Sequence, residues 1–198
     1  MKVAKALVAT ALFAVLLLLT YYIHVSWLPV DVVLYSAIED GAIATAIATV
    51  VLMVWNGFAI FNGFEKAQLA VIWLLAAYAF AISVPTVIDR SLSFYILEKI
   101  EQRGGGILQS RFEDVFTKEY VKEHRLVDIR LTEQLQSGTI TIENGCVKLT
   151  DRGRELAEFS RFFRRNLLPK HRLVMGGYTD DLTDPFRHSE ASPDYTCR

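Results

Sequence analysis

The stretch ALVATALFAVLLLLTYYIHVSWLPV, residues 6–30, runs without an Asp, Glu, Lys or Arg. A helix crossing a hydrocarbon core of ~30 Å needs about 20 such residues. Two further stretches meet the same condition: GAIATAIATVVLMVWNGFAIFNGF at 41–64 and AQLAVIWLLAAYAFAISVPTVI at 67–88. The expected spans are about 6–28, 41–62 and 67–88, forming an all-α membrane domain over residues 1–88. Lys2 and Lys5 ahead of the first apolar run resemble a secretory signal, whose apolar core is usually ~7–15 residues. This run is longer, and the bulky Thr20-Tyr21-Tyr22 stands where a cleavage site would follow Leu19. An uncleaved anchor is expected.

Charge divides the chain in the same way. Residues 1–88 hold three Lys/Arg and four Asp/Glu, residues 89–172 hold 16 and 13, and residues 173–198 hold two and five. A charge-poor half joined to a charge-dense half reads as a membrane domain followed by a water-soluble one. Orientation is balanced. Lys2, Lys5 and Lys66 lie on one side of the spans, and Arg90, Lys99 and Arg103 lie on the other, so basic residues do not decide it. The signal-like N-terminus favours an outside position for the soluble part, and the basic helix described below favours a cytoplasmic one; a multi-pass protein of a plasma or bacterial inner membrane with a cytoplasmic soluble domain is expected.

Within the second span Gly41, Thr45 and Thr49 recur at every fourth residue, with Ala44 and Ala48 beside them. Small residues at this spacing let helix backbones approach closely. The face is expected to pack against the other two spans or to serve a partner subunit. Tyr21, Tyr22, Trp27 and Tyr35 form an aromatic belt at one end of the first span. Glu39-Asp40 is read as the end of the second span at the water boundary, which leaves no Asp, Glu, Lys or Arg in the middle of any span to relay protons or ions.

Beyond Asp89, helical periodicity runs through SLSFYILEKIEQR until Gly104-Gly105-Gly106, and then through Phe112, Val115, Phe116, Tyr120 and Val121. A third helix is expected over Val127–Gln136. TITIENGCVKLTDRG then alternates apolar and polar residues around Asn144-Gly145, a hairpin signal because both turn positions accept positive φ. Thr150-Asp151 opens a last helix.

The order helix, helix, helix, hairpin, helix resembles a winged helix-turn-helix domain. KLTDRGRELAE, with Leu149, Thr150, Gly153 and Leu156, looks like the second wing strand and the helix that follows it in that family. The resemblance covers about 92–168 and implies a small α+β domain over 89–172. Members bind DNA, proteins or each other. In DNA-binding members the third helix enters the major groove. The matching helix carries Arg130 against Asp128 and Glu133, and the wing tip carries Glu143, so a protein-contact module is expected rather than a DNA reader.

Basic residues concentrate instead in RGRELAEFSRFFRRNLLPKHR. Arg154, Arg161, Arg164, Arg165 and Lys170 accompany an apolar face of Leu156, Phe159, Phe163 and Leu167. Such a helix reads as lying on a membrane surface, with an anionic leaflet as its natural partner; the alternative is a core helix with a solvated back. The tail 173–198, rich in Gly, Asp, Ser and Pro, carries no core of its own.

Cys146 and Cys197 lack metal-site spacing and could pair only in an oxidising compartment. His24, His124, His171 and His188 form no ligand motif, and the triple glycine lacks the Lys-Ser/Thr of a phosphate loop. No catalytic, cofactor or metal residues are assigned. The sequence is expected to encode a non-catalytic accessory or scaffolding subunit of a larger membrane complex, or of a homo-oligomer. A membrane-tethered transcription regulator is the alternative. A small membrane enzyme of envelope lipid or polysaccharide metabolism, using Glu39-Asp40, is the weaker one.

Overall fold

The computed structural model describes residues 2–187, 189, 196 and 197. The chain gathers into two compact units, Met1–Phe112 and Glu113–Arg198. The division falls past the boundary at residue 88 that charge density marks, so the first helix after the spans groups with the membrane unit.

Three helices are long and apolar enough to cross a bilayer, which makes this a membrane-associated protein: α1 (Lys2–Trp27), α2 (Val33–Val54) and α3 (Gly63–Ser83), the last continued by α4 (Pro85–Arg90). They run up, down and up with short connections. Each buries one narrow stripe at four-residue spacing, as helical geometry dictates. These are Ala9, Phe13 and Leu17 on α1, Ala44, Ala48 and Leu52 on α2, and Trp73, Ala77 and Ala81 on α3. Trp73 stacks on Phe13 with ring centroids 5.5 Å apart, and its indole N–H donates to the Thr10 hydroxyl at 3.1 Å. The one polar atom of the largest core side chain is thereby satisfied, which matters where water is absent.

One end of the bundle is closed by local hydrogen bonding. Asn62 caps α3 by accepting from the Glu65 N–H, while the Glu65 carboxylate accepts from the Asn62 N–H, a reciprocal capping box. Lys2 pairs with Glu65 at 2.8 Å, and Lys5 donates to the Gly57 carbonyl at 2.6 Å. At the other end Pro85 has no N–H to give the Ala81 carbonyl four residues back. The Thr86 hydroxyl takes that carbonyl instead, at 2.8 Å, and the helix resumes as α4. Ser91 then caps α5 (Leu92–Gln102).

The second span begins eight residues earlier than charge patterning places it. Glu39-Asp40 was the reason for starting it at Gly41, yet α2 starts at Val33 and carries Asp40 about 10 Å along its axis. The charge is absorbed inside the bundle rather than marking its edge.

In the second unit, α6 (Phe112–Asp114), a π-helical turn (Val115–Tyr120) and α7 (Val121–Glu123) make one bent helical segment. It is followed by α8 (Leu126–Gln136), β1 (Ile140–Glu143), β2 (Cys146–Leu149) and α9 (Asp151–Asn166). The β1–β2 hairpin turns at Asn144-Gly145, with φ of 52° and 78°, and pairs Ile140 with Leu149 and Ile142 with Val147. Thr150 caps α9 by accepting from the Gly153 N–H at 3.1 Å. A second small hairpin, β3 (Arg172–Val174) with β4 (Gly177–Thr179), begins the tail. Among the described residues, the buried hydrophobic side chains of this unit are Val115 and Tyr120.

Candidate functional site

His24 lies in the last turn of α1, and Asp40 two turns inside α2. Because the two helices are antiparallel neighbours, the side chains meet: imidazole Nδ1 is 2.7 Å from the Asp40 Oδ1. A carboxylate accepts, so Nδ1 is the donor and carries its hydrogen. Asp40 is only 2% exposed, and its second oxygen, Oδ2, has no hydrogen-bond partner. Tyr21, one turn before His24, lies within electrostatic range of this carboxylate and of Asp89 near the end of α4. Ionisable groups inside a bundle are costly and stand out as functional candidates for that reason. Here the geometry does one definite thing: it ties α1 to α2 through a charge-assisted bond in a low-dielectric setting. Sequence reasoning missed the pair because it set Asp40 at a water boundary. The available signal was a single histidine in the first apolar run facing an acidic residue across one short turn.

The small-residue face of α2 points into the bundle. Gly41, Ala44, Thr45 and Ala48 are buried and Thr49 is half-buried. A Cβ on Gly41 would stand 2.8 Å from the Ala77 Cβ, so α2 and α3 touch at a separation that only glycine permits. The Thr45 hydroxyl donates back to the Gly41 carbonyl at 2.7 Å and is thus satisfied within its own helix.

The basic helix is α9, and it is not a core helix. Leu156, Phe159, Phe162 and Leu167 are each at least half exposed, and Phe163 is 39% exposed. The tail lies against its other side. Asp184 accepts from Arg165 at 2.8 Å, and the Thr183 hydroxyl donates to the Lys170 carbonyl. Arg187 pairs with Asp180 at 3.3 Å and holds that carboxyl below its ordinary range. Between α9 and this turn is a cleft of about 600 Å³, lined by Ser160, Arg161, Arg164, Arg165, Thr183 and Asp184 among others. Arg161 and Arg164 make no hydrogen bond or ion pair with any described residue. Arg154 reaches Asp151 at 3.7 Å, and Lys170 follows the helix end.

The basic side chains at α8 are held by acids: Arg125 by Asp128 at 2.9 Å and Arg130 by Glu133 at 2.6 Å. Cys146 is joined to Cys197 by a disulfide with Cα atoms 6.1 Å apart. Paired residues of an antiparallel hairpin share a face. Ile140, Ile142, Val147 and Leu149 therefore form one side, and Cys146 stands on the other with Thr141, Glu143 and Lys148. No group of three His, Cys, Asp or Glu side chains is placed to hold a metal ion among the described residues. No protein-family model, curated protein or solved structure matches the chain.

Proposed function

We propose that this chain is a non-catalytic accessory or scaffolding subunit of a larger membrane complex, held by its three helices and presenting a winged-helix-like contact module. The observation that carries this reading is how the second unit uses its own tail. The disulfide draws residue 197 to the polar face of the hairpin, and Asp184 holds the tail to the arginine side of α9. The apolar faces stay open: Ile142, Val147 and Leu149 on the hairpin are all more than 40% exposed. A unit with this much unburied aliphatic surface gains by covering it with another protein. The larger membrane protein to which the spans are anchored is the partner of that kind.

The acid-paired arginines of α8 support a protein partner over DNA, since nucleic-acid affinity rests on cations free to meet phosphates. The disulfide supports a second unit facing an oxidising compartment. Purification of the full chain from its native membrane in mild detergent, with mass spectrometry of what accompanies it, tests the reading. A second membrane protein in fixed ratio is the expected result. A monodisperse monomer, or a homo-oligomer with no other chain, overturns it.

A further inference from the structure

We propose that α9 is a lipid-binding helix, and that Arg161 and Arg164 take the phosphate of an anionic phospholipid while Phe159 and Phe163 enter the bilayer surface. The proposal concerns a different surface from the hairpin face and does not depend on the identity of any partner protein.

Three observations converge on it. The first is charge held ready for an anion. Arg161 and Arg164 line the cleft without partners among the described residues, and Arg165 already holds a carboxylate there, that of Asp184. A guanidinium presents its donors in a planar fork that fits phosphate oxygens two at a time. The Ser160 side chain beside them adds a hydroxyl to the same lining.

The second is the position of the cleft on the helix. At 100° per residue, Ser160 and Arg164 fall on the flank of the stripe formed by Leu156, Phe159, Phe163 and Leu167, while Arg161 and Arg165 stand further round, on the back of the helix, so Arg161 reaches the cleft along the length of its side chain. A helix lying in the plane of an interface sinks its apolar stripe to the acyl boundary and keeps its flank at headgroup depth. A phosphate in the cleft and the phenyl rings of Phe159 and Phe163 are thus at the two levels that one phospholipid occupies.

The third is the tether. The same chain carries three helices long and apolar enough to cross a bilayer, so α9 meets a lipid surface at high effective concentration. A stripe too short to anchor a free peptide is sufficient when the encounter is intramolecular.

The test uses the full chain in nanodiscs and reads amide hydrogen exchange along α9. The discs are zwitterionic phosphatidylcholine, phosphatidylcholine with phosphatidylglycerol, or phosphatidylcholine with inorganic phosphate added to the buffer. Each arginine near an anionic surface contributes about fivefold, so residues 156–166 are expected to exchange on the order of tenfold or more slowly in the anionic discs. R161Q/R164Q removes that difference, as does F159S/F163S. These side chains line the surface, so exchange in the β1–β2 hairpin serves as the control that the fold is intact. Equal exchange in the two disc types overturns the proposal. Protection reproduced by inorganic phosphate in zwitterionic discs also overturns it, because the cleft is then a site for a soluble anion.

Discussion

The helix bundle is far richer in aliphatic and aromatic side chains than the second unit, and the two bury them very differently. In the bundle, the inward positions are small or flat (Ala9, Gly41, Ala44, Ala48, Ala77), and Trp73 and Phe13 stack between them. The outward positions are apolar because lipid is their solvent. In the second unit, Val115 and Tyr120 are buried while the larger residues of the hairpin and α9 lie outside. Exposed hydrophobes have therefore two meanings in one chain. On α1 to α3 they belong to helices long and apolar enough to cross a bilayer, and on β1, β2 and α9 they are the surfaces for which a protein and a lipid cover are proposed.

That contrast can be broken most severely at the buried pair. His24→Ala leaves the Asp40 carboxyl group without its donor, and stranding a buried group of this kind costs about 3–5 kcal/mol. Unfolding of the bundle in mixed micelles should register this loss. H24L/D40L, which removes both groups, should recover most of it, and a double variant as weak as the single one would mean that the bond does not hold α1 to α2.

The second unit offers the next largest effect. Cys146 and Cys197 are 51 residues apart in sequence, and a closure of that length stabilises by about 2–4 kcal/mol. Thermal unfolding with and without reductant measures it. Reduction should lower the melting of the second unit and leave the bundle unchanged, because the three helices contain no cysteine. A melting curve indifferent to reductant would remove the disulfide from the account of this unit.

Gly41→Leu tests the close approach of α2 and α3. A side chain there meets Ala77, and overpacking of this kind costs about 1–3 kcal/mol. Ala77→Gly on the same background should relieve part of the clash, measured again by detergent unfolding. The smallest effect belongs to Lys2→Ala. Its pair with Glu65 is largely open to solvent, so a loss near the limit of detection is expected. A larger loss would mean that Lys2 matters to insertion rather than to packing.

The membrane half was largely legible because its signal is crude: long runs without charge fold into helices wherever backbone groups lack water. Thr150 and Asn144-Gly145 were legible for a different reason, since caps and tight hairpin turns depend on side chains within a few residues. Asp40 was misread because its environment is set by His24, sixteen positions away, and no local pattern reports a partner across a turn. The arginine cleft was half legible. The basic residues of α9 stand out in the sequence, but that Asp184 and Thr183 fold back to wall them in is a long-range event of the tail.

The Asp40 carboxylate has a consequence for how the protein is made. An aspartate two turns inside an apolar helix opposes its transfer into lipid, by at most the roughly 2.5–3.5 kcal/mol that insertion scales give at the helix centre. Alone, α2 would carry that penalty. As synthesis proceeds from the N-terminus, α1 has already emerged, with His24 at the end that α2 will reach first. The two helices can then enter as a hairpin with the charge already matched, so the order of emergence supplies the condition that lets the second helix cross.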